Sequence, residues 1–282
     1  MRKAVVILVF ISLAASVYVL TVRNPVARGF NFSTVPFIGN VVDGNFLGHM
    51  SAPNSAGSFE LLYSVPENRS LDNIYEAINQ KSIFGDIVNG LNDHIILPYN
   101  IWIVFAQCNS PSALYDPQRK TIQICYEFIN SMQNLYFSAN VTQPAAAAIN
   151  NAEFALYHEV GHSLIDSLKL PITGKEEDSA DQLAVLMLMS RGQSFEAPII
   201  LTAYAMQVQG SYQNLDQAAL SDEHSLDSQR YYNIVCWLYG QNPVKYAAMT
   251  QLLPQGRAGR CQNEYTKMLD SWRQLLQPYF KK

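Results

Sequence analysis

Residues 145–168 read AAAAINNAEFALYHEVGHSLIDSL, and no stretch of the chain constrains its fold more tightly. Pro144 precedes an alanine-rich run whose propensity predicts a long helix. On such a helix His158 and His162 stand four residues apart on one face, where two imidazoles can share one metal ion. Glu159, beside the first histidine, can reach a water activated by that ion and take its proton. The chain has only five histidines, and two of them sit in this motif. A solvent-facing helix with incidental histidines is the weaker reading.

A catalytic zinc takes three protein ligands and keeps a fourth position open. No third histidine follows at the spacing H-E-x-x-H-x-x-G-x-x-H, so a carboxylate is expected instead. The next helical run, KEEDSADQLAVLMLMS, carries four acidic residues in its first turns, where the helix dipole favours them. Glu177 and Asp181 are four apart. Glu177 as ligand leaves Asp181 to accept the second ring proton of a metal-binding histidine and so fix its tautomer. Glu176 and Asp178 remain rivals for the ligand role, because this helix is apolar on all sides and periodicity does not choose among them.

The surrounding pattern is α+β. SFELLYSV and IWIVFAQC read as strands, and SALYDPQRKTIQICYEFI as two strands about an Asp-Pro turn. LDNIYEAINQKSIFGDIVNGLN repeats its isoleucines at near-helical intervals. After Cys125 the chain is mostly helical, with breaks near Gly210, Pro243 and 254–259. The expected layout is a small mixed or antiparallel sheet, then a mostly helical part, with the HEVGH helix between them.

The N-terminus points to export. Arg2 and Lys3 precede an uncharged apolar run from Ala4 to Val22, closed by Arg23. Residues 1–23 suit either a signal peptide cut after Ser16 or an uncleaved anchor tethering the protein to a membrane. The expected locations are periplasmic or secreted. Residues 24–58, rich in Asn, Gly, Ser and Pro, read as a linker or arm, and 59–282 as the functional domain. In an oxidising compartment the four cysteines read as disulfides. Cys108 and Cys125 flank the YDPQRK turn, which favours the pairs Cys108–Cys125 and Cys236–Cys261. A net charge of −4 with no basic run argues against nucleic acid as a partner.

The Glu-x-x-x-Asp helix after H-E-x-x-H resembles the thermolysin-like gluzincin peptidases. The gap from His162 to Glu177 is shorter than in thermolysin, so KLPITGK must turn tightly. In gluzincins a downstream histidine held by an aspartate donates to the tetrahedral oxyanion. The resemblance assigns that role to His224, which lies between Asp222 and Asp227 in SDEHSLDSQRYY. Arg230 and Tyr231 follow as candidates for holding substrate carbonyl oxygens.

SPSALY, Ser110 to Tyr115, resembles the Asn-Ala-aromatic edge strand on which peptide substrates pair. Ser112 stands in the asparagine's place and Leu114 in the aromatic's, leaving Ala113 and Tyr115 as substrate-binding candidates. Over 59–282 the order of these motifs resembles a group of exported bacterial metallopeptidases. The resemblance implies a zincin fold, a Zn²⁺ cofactor and a peptide or protein substrate. Two rivals stand beside it: a binding or assembly protein with a structural zinc, and a metal-dependent hydrolase of a non-protein bond.

Overall fold

The computed structural model describes residues 57–80, 82–191 and 196–281. The predicted signal or anchor segment 1–23 and residues 24–56 of the predicted arm lie outside the described residues. Gly57, the first described residue, already bridges Leu97, and a Cβ there would lie 2.4 Å from the Tyr99 carbonyl oxygen, so only glycine admits this approach.

Four strands form one mixed sheet: β1 (Phe59–Tyr63), β2 (Ile101–Ala106), β3 (Ala113–Asp116) and β4 (Thr121–Cys125). The order is β1-β2-β4-β3, with β1, β2 and β4 parallel and β3 antiparallel to β4 at one edge. The parallel β1–β2 pair is joined by helices α1 (Asp72–Asn79) and α2 (Ile83–His94), so the continuous isoleucine period divides into two helices.

Only one face of the sheet is buried. Ile101, Ile103, Phe105, Ile122 and Ile124 point inward, while Trp102 between them stays half exposed. This alternation is what a one-sided sheet requires. The covering layer brings Phe84 of α2 to 4.5 Å (ring centroids) from Phe105.

The chain then continues as α3 (Tyr126–Ser138), α4 (Pro144–Ser167), α5 (Glu176–Ser190), α6 (Glu196–Gly210), the short α7 (Gln217–Ser221), α8 (Asp227–Gln241) and α9 (Ala258–Leu276). Helix α4 starts with Pro144 in its first turn, where a missing N–H is harmless. From Ala147 to Ser167 it is buried almost all round, because the sheet, α3, α5 and α6 all pack against it. The architecture is α+β, with the HEVGH helix between the sheet and the helical part.

Both disulfides join the expected cysteines. Cys108–Cys125 ties the loop after β2 to the end of β4, and Cys236–Cys261 ties α8 to α9. Among the described residues no helix is long and apolar enough to cross a membrane.

Candidate metal centre

The centre is assembled where α4 and α5 touch. Helix α4 ends with Lys169 in the left-handed region (φ 54°) and a hydrogen bond from Leu170 N–H to Ile165 O. That reversal makes the short connection tight, as the spacing required. A Cβ on Gly161 would lie 3.0 Å from Ala180 Cα and 3.3 Å from its Cβ. The two helices therefore approach at a glycine–alanine contact, and the first turns of α5 lie across the histidine face of α4.

His158 is buried, and its Nδ1 stands 2.9 Å from Asp181 Oδ1. His162 Nδ1 stands 2.8 Å from Glu176 Oε1. A carboxylate only accepts, so each Nδ1 carries a proton, and in the neutral ring the Nε2 lone pair faces the other way. The two Nε2 atoms converge to 3.2 Å. Glu177 closes the triangle: Oε2 is 3.1 Å from His158 Nε2, and Oε1 is 3.3 Å from His162 Nε2. Ligands about 2.0–2.1 Å from one tetrahedral ion stand about 3.3–3.4 Å apart. The three observed edges fit one metal ion. Among the three acidic residues of this turn, Glu177 alone has its carboxylate inside the triangle; Glu176 sits behind His162, and Asp178 makes neither contact.

The electrostatics ask for positive charge here. Burial works against a charged His158 ring, yet hydrogen bonds with Asp181 and Glu177 outweigh it and raise its pKa to about 9. His162 is raised too, its burial outweighed chiefly by Glu177. Burial pushes the Glu177 carboxyl up, but hydrogen bonds from His158, His162 and His224 hold it far below the usual range. A proton and a metal cation answer the same excess of carboxylate. Behind this group Asp181, 2% exposed, receives a fork from Arg230, Nε to Oδ2 at 2.7 Å and a terminal nitrogen to Oδ1 at 2.8 Å. Burial raises the Asp181 carboxyl, and Arg230 more than reverses this.

Glu159 is 6% exposed, and burial raises its pKa, opposed by both histidines and by a hydrogen bond from the Tyr115 backbone N–H. That N–H belongs to the edge strand. Cys125 N–H bonds Ser112 O at 3.0 Å, so by alternation Ala113 and Tyr115 turn their peptide groups away from β4, toward α4. The Tyr115 hydroxyl donates to Asp166 Oδ2 at 2.9 Å, where Lys120 also binds.

His224, in the segment between α7 and α8, brings its Nε2 to 2.9 Å from Glu177 Oε2, and its Nδ1 to 3.1 Å from Asp222 Oδ1. Of the two flanking aspartates, Asp222 holds the ring; Asp227 opens α8, with its carboxyl raised by burial. Arg230 gives its Nε and one terminal nitrogen to Asp181, and Tyr231 is buried against Tyr232, because the rotation of α8 turns both side chains into the protein.

Residues 63–276 match the model of the DUF4344 family, described as "Putative metallopeptidase". The chain belongs to this family. No curated protein and no solved structure matches it.

Membership in a metallopeptidase family points to metal-dependent hydrolysis and implies a metal, and His158, Glu177 and His224 form a group able to hold one. A second grouping, Cys108, Cys125 and Glu127, is no rival for the ion. Its sulfurs are bonded to each other, and Glu127 accepts from the backbone N–H groups of Cys108 and Asn109. For this metallopeptidase family member, sequence reasoning missed two roles. One is Glu176 as the partner of His162 Nδ1, which the sequence offers only as a rival ligand. The other is Arg230 as the partner of Asp181, which a lone arginine entering the apolar run of α8 signals, since a buried cation needs a partner.

Proposed function

We propose that the protein is an exported zinc peptidase in which His158 Nε2, His162 Nε2 and the Glu177 carboxylate hold Zn²⁺. The triangle of 3.1, 3.2 and 3.3 Å edges carries this reading. When bound, the ion supplies Lewis acidity, lowering the pKa of a water and polarising a carbonyl.

The protein's own groups do the rest. Asp181 and Glu176 hold the two rings with Nε2 outward. Arg230 keeps Asp181 ionised. Glu159 removes a proton from the attacking water and delivers it to the leaving amine as the C–N bond breaks; its burial raises its basicity, which suits this role. His224 Nε2–H donates to the oxyanion, a contribution typically worth 10²–10³ in rate. A peptide lies along β3, pairing with the outward peptide groups of Ala113. The two disulfides support an oxidising compartment, in line with export and with the apolar segment 4–22 as signal or tether.

The test is hydrolysis of a peptide library by the zinc-loaded protein beside Glu159→Gln. Cleavage should vanish in the variant while zinc stays at one equivalent; loss of zinc would remove Glu159 from the role of base.

One observation favours a second reading. His224 Nε2 is near enough to Glu177 to serve as a fourth ligand, which would close the site into that of a binding protein. His224→Ala then weakens zinc binding, whereas in the peptidase reading it leaves affinity unchanged and lowers kcat.

A further inference from the structure

The segment that carries His224 has little of its own to hold it in place. None of residues 211–226 is buried, and Tyr212, Leu215 and Leu220 are 83%, 71% and 66% exposed. Apolar packing, the main source of loop rigidity, is missing there. Yet the His224 ring meets Glu177 at hydrogen-bonding distance. Something polar must set that position.

Among the described residues, the tie that reaches the His224 backbone from outside the segment is Lys175. Its Nζ donates to two backbone carbonyls of the segment, Asp222 O at 3.0 Å and His224 O at 3.2 Å. Asp222 Oδ1 in turn accepts from His224 N–H at 2.8 Å and faces its ring Nδ1, so the held turn and the ring move together. Lys175 is the N-cap of α5, one residue before Glu176 and two before Glu177. The same helix terminus therefore presents the carboxylate and grips the turn that brings His224 to it.

The residue type is also informative. Lys175 makes no side-chain cap, and a cation at a helix N-terminus is unfavourable by the macrodipole. Nothing in the stability of α5 asks for lysine at this position.

We infer that Lys175 is a positioning residue: it docks the 222–224 turn onto α5 and so places His224 over the Glu177 end of the metal centre. This rests on the proposed role of His224 as oxyanion donor.

Two measurements on the full-length, zinc-loaded protein test it. The first, independent of activity, is amide hydrogen exchange in residues 222–226 of the wild type, Lys175→Met and Lys175→Arg. Exchange should rise at least severalfold in Lys175→Met and return toward wild type in Lys175→Arg, with melting temperature and zinc content unchanged. Unchanged exchange in Lys175→Met overturns the inference, whether or not the protein cleaves peptides.

The second is steady-state kinetics on a cleaved peptide. Lys175→Met should lower kcat about tenfold with little change in KM, less than the full effect of losing an oxyanion donor. The same substitution should cost nothing further in a His224→Ala background. A kcat equal to wild type, or an equal loss with and without His224, overturns the positioning role. If the wild type cleaves nothing while exchange still responds to Lys175, the clamp stands and the peptidase reading falls.

Discussion

Gly161→Ala tests whether the approach of α4 and α5 is what builds the metal centre. In a helix free of neighbours this change is favourable, by up to about 1 kcal/mol of helix propensity. Here the new methyl would lie 3.0 Å from Ala180 Cα and 3.4 Å from Ala180 O, which are backbone atoms that cannot rotate aside. Overpacking of this kind costs roughly 1–3 kcal/mol, and a backbone neighbour argues for the upper half of that range. Subtracting the propensity gain leaves a net loss of about 1–2 kcal/mol. For a domain of this size that lowers the melting temperature by roughly 2–8 °C.

The displacement has a second readout. Glu177 and Asp181 ride on α5, so a shift of a few tenths of an ångström loosens both the triangle and the support of His158. Metal affinity, titrated against a chelator, should fall about tenfold, the lower end for losses of supporting contacts. Gly85→Ala is the control: it lies in α2 with no atom within 4 Å of the added Cβ, and should raise stability. If Gly161→Ala also stabilises and keeps its metal affinity, the glycine–alanine contact does not set the site.

Removing the guanidinium in Arg230→Gln leaves Asp181 buried without its cation. Chemical denaturation should show a loss of about 3 kcal/mol, accompanied by weaker metal binding; a loss below about 1 kcal/mol would mean that His158 alone satisfies the carboxylate.

Asp166 is held at about 2, against its burial, by Lys120, Lys169 and Tyr115. A depressed carboxyl stabilises the fold above its unfolded value near 3.8 and loses that contribution as pH falls through about 2. The shift sets a ceiling of about 2.5 kcal/mol. With the side chain 24% exposed, about 1 kcal/mol is the realistic share. Asp166→Asn should therefore melt below wild type at pH 7, and the gap should close toward pH 2; a gap independent of pH would assign the effect to packing. Reducing the disulfides, whose loops span 17 and 25 residues, should cost about 3 kcal/mol each, read as a fall in melting temperature.

Much of this was legible because it is local in sequence. The i, i+4 spacing of His158 and His162 and the alanine run of α4 act within one helix. Cys108 and Cys125 are brought together by the compact β3–β4 hairpin, and Ser110–Tyr115 leads into the edge strand because it precedes that hairpin's turn. The strand itself begins only at Ala113, after Asn109 takes a left-handed conformation (φ 60°). The four-residue offset from Asp181 favours Glu177 among the acidic residues. That offset could not exclude Glu176, because the argument concerns one helix and not its partner.

What tertiary structure decided is the rotation and distance of helices about their own axes. Helix α5 is buried nearly all round beyond its first turns, so no stripe in its sequence marks the side facing α4. The Gly161–Ala180 contact does so, turning Glu177 inward and leaving Glu176 behind His162. The rotation of α8 likewise sends Arg230 to Asp181, 49 residues away in the chain. Sequence alone determined which chemical groups are present and which share a helix face; only packing between helices, through steric contacts far apart in the chain, decided which of them meet at one point.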